Sequence, residues 1–272
     1  MDPLGVTSQW TAAARARESQ RSDRLFFDPY ASALAGPDGA RLLDHMEQAG
    51  SHGWYLAIRT RFFDDFVLDS AQLVRQVVIL AAGMDVRAFR LSWPPRTTLF
   101  ELDRGEVLAH KDEILRELGT RPGCSRRTVA ADLEGNWPAS LREAGFDADA
   151  PALFLIEGLT PYLDEDGVTR LLTALGSVAK PGSRLAIDFV TRSYLAAASG
   201  GVFLSRLSEH GIPWQFGTDD PGSILERFGW HSTVTIPGAP AANWGRLPAP
   251  GSRPEAPRSF LVRATLRCRW EP

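Results

Sequence analysis

Five short apolar runs recur through the middle of this 272-residue chain, and helix-length stretches part several of them. That rhythm constrains the fold more than any other feature. Val77-Val78-Ile79-Leu80 runs into Ala81-Ala82-Gly83. Thr98 to Asp103 follows, then Arg127 to Ala131 closed by Asp132, Leu153 to Glu157, and Arg184 to Val190. Short, largely apolar runs bounded by turn residues suit strands buried on both faces. Glu106 to Leu118 and Asp164 to Val178 have helical character, and Asp164, Glu165 and Asp166 sit where a helix N-terminus favours negative charge. Strands alternating with helices predict an α/β fold, a parallel sheet with helices on both faces.

The flanks differ from this core. Thr11 to Gln20 is rich in Ala and helix-prone. Asp28-Pro29 predicts the start of a short helix, broken by Gly36 to Gly39. Trp54 to Val74 carries Ile58, Phe62, Phe66 and Leu73 at roughly helical spacing. After residue 190 the rhythm weakens. Tyr194 to His210 and Gly222 to Phe228 look helical, and Trp230 to Ile236 and Ser259 to Arg267 look like strands. Between those strands, Pro237 to Pro257 is rich in Pro, Gly and Ala, which predicts a long loop that is either mobile or part of a binding surface. The expected organisation is one domain: a helical cap over 1–75, a ligand-binding core over 76–190, and a lid with C-terminal strands over 191–272.

Composition removes several function classes. A formal charge of -3 supplies no basic field for nucleic acid or an acidic membrane surface. No apolar run reaches membrane-spanning length, and the first residues lack the apolar stretch of a signal peptide. Cys124 and Cys268 stand far apart, with no Cys/His cluster at zinc spacing. A cytoplasmic protein without nucleic-acid or membrane partners and without a metal is expected. Nothing here sets an oligomeric state.

The informative chemistry lies at the strand ends. In an open parallel sheet, ligands sit beyond the carboxyl ends of the strands, where the strand order reverses. Four such ends here carry Gly83-Met84-Asp85, Asp103, Asp132 and Glu157. Asp103 falls about twenty residues past Gly83, the offset at which a carboxylate reaches the hydroxyls of a bound ribose. Gly83 lets backbone approach a ligand closely, since it has no Cβ. A dinucleotide is disfavoured, because the later glycines of a pyrophosphate loop are missing and Asp85 would set negative charge where phosphates lie. A phosphate-free nucleoside bearing a sulfonium and an ammonium tolerates such neighbours. S-adenosylmethionine (SAM) fits that description.

The chain resembles the leucine carboxyl methyltransferase superfamily, especially its bacterial branch of small-molecule O-methyltransferases. The residues that carry the likeness are Ala14-Arg15-Ala16-Arg17-Glu18, Phe27-Asp28-Pro29-Tyr30-Ala31 and Ile58-Arg59-Thr60-Arg61-Phe62-Phe63-Asp64. They continue through the run Leu80 to Leu91, Phe100-Glu101-Leu102-Asp103, Ala131-Asp132-Leu133, and Glu157-Gly158-Leu159-Thr160-Pro161-Tyr162-Leu163. The likeness covers roughly residues 8 to 190.

This resemblance implies a class I SAM-dependent methyltransferase: a Rossmann-like, seven-stranded, mostly parallel sheet with added N-terminal helices. It also implies residue roles. Arg59 would pair with the carboxylate of the SAM methionyl end, and Gly83 would lie beside the methionyl amine; Asp85, in the same loop, is also expected among the cofactor-binding residues. Asp103 would hold the ribose, Asp132 and Leu133 would face the adenine, and Glu157 would lie near the methionyl ammonium. Tyr162 would stand close to the reacting methyl. A second basic contact to the SAM carboxylate would come from the N-terminal region, with Arg15, Arg17 and Arg21 competing for it.

The expected reaction is methyl transfer to an oxygen of a small-molecule carboxylate or phenol, of the polyketide-like secondary-metabolite kind. A carboxylate needs no general base, and none of His45, His52, His110, His210 and His231 lies in a motif that marks it as one, which tilts the expectation toward a carboxylate. Tyr194, Phe203, His210, Trp214 and Phe216 would form an aromatic lid. The competing readings are a protein carboxyl methyltransferase, a SAM-binding protein without methyl transfer, and, least favoured, an NAD-dependent dehydrogenase. Asp64 and Asp65 are expected to be solvated or paired with arginine rather than catalytic.

Overall fold

The β-branched run Gln76–Leu80 is β1, the central strand of a seven-stranded sheet. The computed structural model describes residues 3–48, 53–196, 201–247 and 259–267; His52, Cys268 and the later part of the Pro-rich loop lie outside them. The other strands are β2 (Thr98–Asp103), β3 (Ser125–Ala130), β4 (Ala152–Ile156), β5 (Arg184–Val190), β6 (Trp230–Thr235) and β7 (Ser259–Leu266). Their order is β3-β2-β1-β4-β5-β7-β6. The first five are parallel, and β7 runs antiparallel between β5 and β6.

Register places the site. Leu80 pairs with Leu102 of β2 on one side and with Ile156 of β4 on the other. The carboxyl ends of the three strands are therefore level. The chain leaves β1 toward β2 and later returns to lay β4 on its other side, which opens a crevice above β1.

Pleating divides the core between the two faces of the sheet. Val78 and Leu80 pack with Phe100, Phe154 and Ile156 against α6 (Trp137–Glu143) and α7 (Glu165–Gly176). Val77 and Ile79 pack with Leu99, Leu153 and Leu155 against Ile58, Phe62, Phe63 and Phe66 of α3 (Gly53–Ala71). Each such side chain contributes about 1.5–3 kcal/mol by leaving water. A third apolar cluster joins α1 (Pro3–Ser19) and α2 (Ala31–Gln48) to α9 (Gly201–Glu209) above the sheet edge. The remaining helices are α4 (Arg87–Arg90), α5 (Gly105–Glu117), α8 (Arg192–Ala196) and α10 (Pro221–Glu226). None of the helices among the described residues is long and apolar enough to cross a membrane.

Gly36 breaks the second helix as expected: it takes φ 58 and ψ -175, a region open essentially to glycine, and helical backbone restarts with Pro37 in a new first turn and runs to Gln48. Two local outcomes differ from the pattern in the sequence. The seven residues of α6 carry too little periodicity to announce a helix, and burial of Trp137 against the sheet stabilises it. Thr160–Tyr162 winds into one 3₁₀ turn after β4. Elsewhere the agreement is close: Asp164 caps α7 by accepting from Gly167 N at 2.6 Å.

A charged cluster sits inside the β2 flank. Glu101 and Lys111 are both fully buried, with Lys111 Nζ 2.6 Å from Glu101 Oε2. Arg126 reaches the same oxygen at 2.7 Å and holds Asp112 with its other nitrogen, also at 2.7 Å. Lys111 also donates to the Asp85 carbonyl at 3.1 Å, so the pair braces the loop after β1. Removing one partner of a buried pair strands the other's charge, whereas replacing both with apolar groups can be nearly neutral. Lys111→Met should therefore lower unfolding free energy by about 3 kcal/mol in urea titration, and Glu101→Leu/Lys111→Met should recover only part of that loss, because Arg126 loses Glu101 as well.

Candidate functional site

A cavity of about 1630 Å³ lies over the carboxyl ends of β1, β2, β3, β4 and β5. Sites for one drug-sized ligand usually measure about 300–1,000 Å³, so this one has room for two molecules. Its floor is the crevice above β1, its roof includes α1 through Thr7, Ser8 and Trp10, and one wall is the segment 236–247.

Every residue expected at the site lines this one cavity: Arg15, Arg59, Gly83, Asp85, Asp103, Asp132, Leu133, Glu157 and Tyr162. They divide by strand. Asp103 ends β2, with Asp132 and Leu133 just past β3 on the same side. Glu157 follows β4, and Asp188 and Val190 belong to β5, on the other side of the crevice. Among the described residues no cluster of His, Cys, Asp and Glu could hold a metal ion.

The loop after β1 folds tightly. Gly83 has φ +42, and a Cβ there would stand 2.7 Å from Ser8 Cβ in the roof. Its N–H donates to Asp103 Oδ2 at 2.7 Å, while Asp103 Oδ1 accepts from Arg104 N at 2.7 Å. Burial pushes the Asp103 carboxyl upward, and these two N–H groups oppose that shift. Each oxygen of a carboxylate has two acceptor positions, so Asp103 can still accept from a ligand. Asp132 is exposed and accepts from Glu134 N at 2.9 Å, a local turn bond that also leaves acceptor capacity.

Asp85 turns inward. It accepts from Arg87 N at 2.7 Å and pairs with the Arg87 guanidinium, closing the N-terminus of α4. Burial opposes its charge, yet Arg87 and Arg90 hold its carboxyl below the ordinary range. It thereby braces the loop while still lining the cavity, and a bound phosphate would meet that carboxylate there.

Arg59 also does more than the sequence suggested. Its Nε lies 2.9 Å from Glu157 Oε1, and Nη1 lies 3.0 Å from Asp188 Oδ2. Glu157 is held from its other side by Arg87 Nη2 at 2.8 Å. Of the two outcomes expected for Asp64, solvation or arginine pairing, the structure has the second, with Arg87 at 2.8 Å and Arg90 at 2.6 Å; Asp65 pairs with Arg61. Arg15 reaches Asp28 at 2.9 Å and the Met84 carbonyl at 2.5 Å. Arg17 points away to Asp44 and Glu47, and Arg21 to Asp23, so of the three N-terminal candidates Arg15 lines the cavity.

Tyr162 packs edge-on against Trp214, with centroids 6.4 Å apart, and burial raises its hydroxyl pKa. Of the five aromatic lid residues expected, Tyr194, Phe203 and Trp214 line the cavity. His210 instead packs edge-on against His45, and Phe216 belongs to the main core.

The sequence reading missed Asp188 and Tyr55. Asp188 is 3% exposed, and its carboxylate accepts from Gly158 N at 2.6 Å and from the Tyr55 hydroxyl at 3.3 Å. A signal existed: Asp188 is the lone charge inside Leu185-Ala186-Ile187-Asp188-Phe189-Val190. Tyr55 carried none, because it sits in an ordinary helical stretch. Gly83→Ala tests the loop geometry. Left-handed backbone costs a non-glycine residue about 1–2 kcal/mol, and the new methyl meets Ser8, so a lowered melting temperature in thermal unfolding is expected.

With this geometry in hand, comparisons with known proteins are informative. The leucine carboxyl methyltransferase family model matches residues 8–176. A protein of Mycolicibacterium smegmatis, named as an S-adenosyl-L-methionine-dependent methyltransferase, is 39% identical over 251 residues, covering 85% of this chain and 84% of its own. A Mycobacteroides abscessus protein of the same name is 44% identical over 193 residues; the match covers 68% of this chain and under two thirds, 64%, of that relative. Among solved structures, a DUF574 family protein from Streptomyces avermitilis superposes with a TM-score of 0.64 at 18% identity, covering 91% of this chain and 98% of its own. A protein from Thermobifida fusca described as a methyltransferase gives 0.63 at 17% identity, covering 92% and 96%. The strand order and these superpositions agree on the class I methyltransferase fold. With the family match spanning more than half of its length, this chain belongs to the leucine carboxyl methyltransferase family.

Proposed function

We propose that this protein transfers a methyl group from SAM to an oxygen atom of a small-molecule acceptor, a carboxylate or phenol of the polyketide-like secondary-metabolite kind. The observation that carries this reading is one large cavity lined by acidic strand ends on both sides of the crevice and by aromatic side chains.

The residues present fit SAM. A continuous buried network runs beneath the cavity from Asp28 through Arg15, Arg90, Asp64, Arg87, Asp85, Glu157 and Arg59 to Asp188. Its five carboxylates exceed its four guanidiniums by one, which favours a cationic ligand. The N-terminus of α4, where a dinucleotide would need free N–H groups, is closed by Asp85.

SAM supplies a methyl carried on a sulfonium, already activated for displacement by an oxygen nucleophile. The chain has to bind, orient and exclude water. Asp103 would accept from the ribose hydroxyls with the acceptor capacity that Gly83 and Arg104 leave. Asp132 would accept from the adenine amine, and Leu133 would pack against the ring. Glu157 and the Gly83 backbone would face the methionyl ammonium. Arg59 and Arg15 would face the methionyl carboxylate, with Asp85 holding the loop between them through Arg87. Tyr162, beside Trp214, would border the methyl-transfer position and help keep it dry.

Two experiments test this reading. Asp103→Ala should weaken SAM binding at least about tenfold in calorimetry, since hydrogen bonds to a charged group contribute about 1.5–3 kcal/mol each. Because burial raises the Asp103 carboxyl, wild-type affinity should fall with decreasing pH in a range above that of an ordinary aspartate. Unchanged affinity in the variant removes the ribose assignment. Incubation with methyl-labelled SAM and cell extract should put the label into small organic products; label in protein instead would point to a protein carboxyl group as acceptor.

A further inference from the structure

The cavity wall that follows β6 is stiff within itself and tied to its surroundings by side chains. Gly238 N donates to the Ala242 carbonyl at 2.8 Å, Ala239 N to the Ile236 carbonyl at 3.0 Å, Ala242 N to the Ala239 carbonyl at 2.7 Å and Arg246 N to the Asn243 carbonyl at 3.0 Å. The Asn243 side chain joins the two ends of the segment. Its amide donates to the Gly238 and Leu247 carbonyls at 3.3 and 3.4 Å, and its oxygen accepts from Leu247 N at 2.9 Å. Gly238 has φ +96, and a Cβ there would stand 2.7 Å from Leu247 Cδ1. Residues 237–247 are thus a compact loop whose ends meet. Among the described residues, no backbone–backbone hydrogen bond joins this loop to another element.

Side chains attach it instead. Arg246 reaches the last turn of α1 and the turn beyond it. Its Nη2 lies 2.5 Å from Glu18 Oε1 and 2.6 Å from the Asp23 carbonyl, and Nη1 lies 2.8 Å from Asp23 Oδ2. The Arg246 and Glu18 side chains are 7% and 5% exposed, while Asp23 is open to solvent. Ala242, Trp244 and Leu247 pack with the α3 cluster, and the Arg61 guanidinium carbon lies 5.8 Å from the Trp244 ring centroid. A loop built this way can move as one body when its side-chain attachments release.

Its position decides what it covers. It lines the cavity together with Trp54, Tyr55 and Arg59 of α3, the helix it packs on, and Glu18 lies one turn along α1 from Arg15. Arg15 and Arg59, which face the methionyl carboxylate in the reading above, are only 11% and 10% exposed. The adenine end of the site differs, because Asp132 and Glu134 there are exposed.

We propose that residues 237–247 are a flap over the methionyl end of the cofactor, with Arg246 as its latch on Glu18 and Asp23. This deepens the cofactor reading above and rests on it. An adenine reaches the β2 and β3 ends from solvent at Asp132. The charged amino-acid end has to reach Arg15 and Arg59 between α1 and α3, and the flap closes that gap. Release of the Arg246 ion pairs swings the flap off α1 while Asn243 keeps it folded. The latch then limits cofactor exchange, and the closed flap keeps water from the methyl-transfer position. Over these residues the Pro-rich loop serves as binding wall and moving part at once.

The test is stopped-flow fluorescence of S-adenosylhomocysteine association and dissociation with the full chain, comparing wild type with Arg246→Met and Glu18→Gln. Each variant is expected to raise both rate constants at least about fivefold and to keep Kd within about twofold, since the latch sets a barrier common to entry and exit. 5′-Methylthioadenosine, which lacks the amino-acid end, is expected to bind variants and wild type at the same rates. Arg41→Met, which removes an exposed ion pair on α2, is the control and should change neither rate. Unchanged rate constants in the latch variants overturn the flap. A rise in dissociation alone also overturns it, because that marks a lost contact and not an opened gate. Equal acceleration of 5′-methylthioadenosine overturns its placing over the methionyl end. If neither variant folds, Asp23→Asn removes the exposed arm of the latch and is expected to raise both rates about twofold, with unchanged rates again overturning the proposal. Failure of S-adenosylhomocysteine to bind the wild-type chain would sink the underlying methyltransferase reading instead, so the two failures are distinguishable.

Discussion

Arg59 and Arg87, sharing Glu157 between them, are the interaction on which the rest of the site depends. Glu157 follows β4 on the far side of the crevice, and one oxygen meets Arg59 while the other meets Arg87. Arg59 continues to β5 through Asp188, and Arg87 continues to α3 through Asp64 and to the β1 loop through Asp85. One chain of charges thus joins elements that backbone hydrogen bonds alone would leave independent. Buried charges are costly singly and tolerable when fully paired, so each group holds its neighbours in place. The loops at the strand ends are therefore set before any ligand arrives, which is the preorganisation that an alignment-driven reaction needs.

The same network explains why a polar site can sit on an apolar scaffold. The sheet beneath is filled on both faces by Val, Ile, Leu and Phe, and the helices supply matching stripes. Burial of that surface carries the fold, leaving the rim free to hold side chains chosen for chemistry. The cavity follows the strand order: Asp103 and Asp132 stand at the β2 and β3 ends, Glu157 and Asp188 at the β4 and β5 ends, and α1 roofs it. The N-terminal helix is thus part of the cavity wall. Ser8 stands where any side chain on Gly83 would go, so roof and floor are fitted to each other across 75 residues of sequence.

Much of this was legible in the order of residues. Strand alternation, the offset between Gly83 and Asp103, and acids at successive strand ends are local patterns, and local patterns report periodicity and turn chemistry directly. The cavity-lining residues expected from them do meet in one cleft. What stayed hidden depends on partners far apart. Asp85 lines the cavity, and only the folded structure shows that it also braces the loop through Arg87. Of Arg15, Arg17 and Arg21, spacing offered no preference; the rotation of α1 against α2 turns Arg17 outward and Arg15 inward.

By itself the sequence determined the class of fold, the parallel core of the sheet and the acidic rim, because hydrophobic period and strand-end chemistry are properties of neighbouring residues. Tertiary structure alone decided which charges are already spent on one another, which aromatic residues face the cavity, and that Tyr55 and Asp188 meet. The reason is physical: a side chain's availability to a ligand depends on what surrounds it, and those surroundings come from segments a hundred or more residues away.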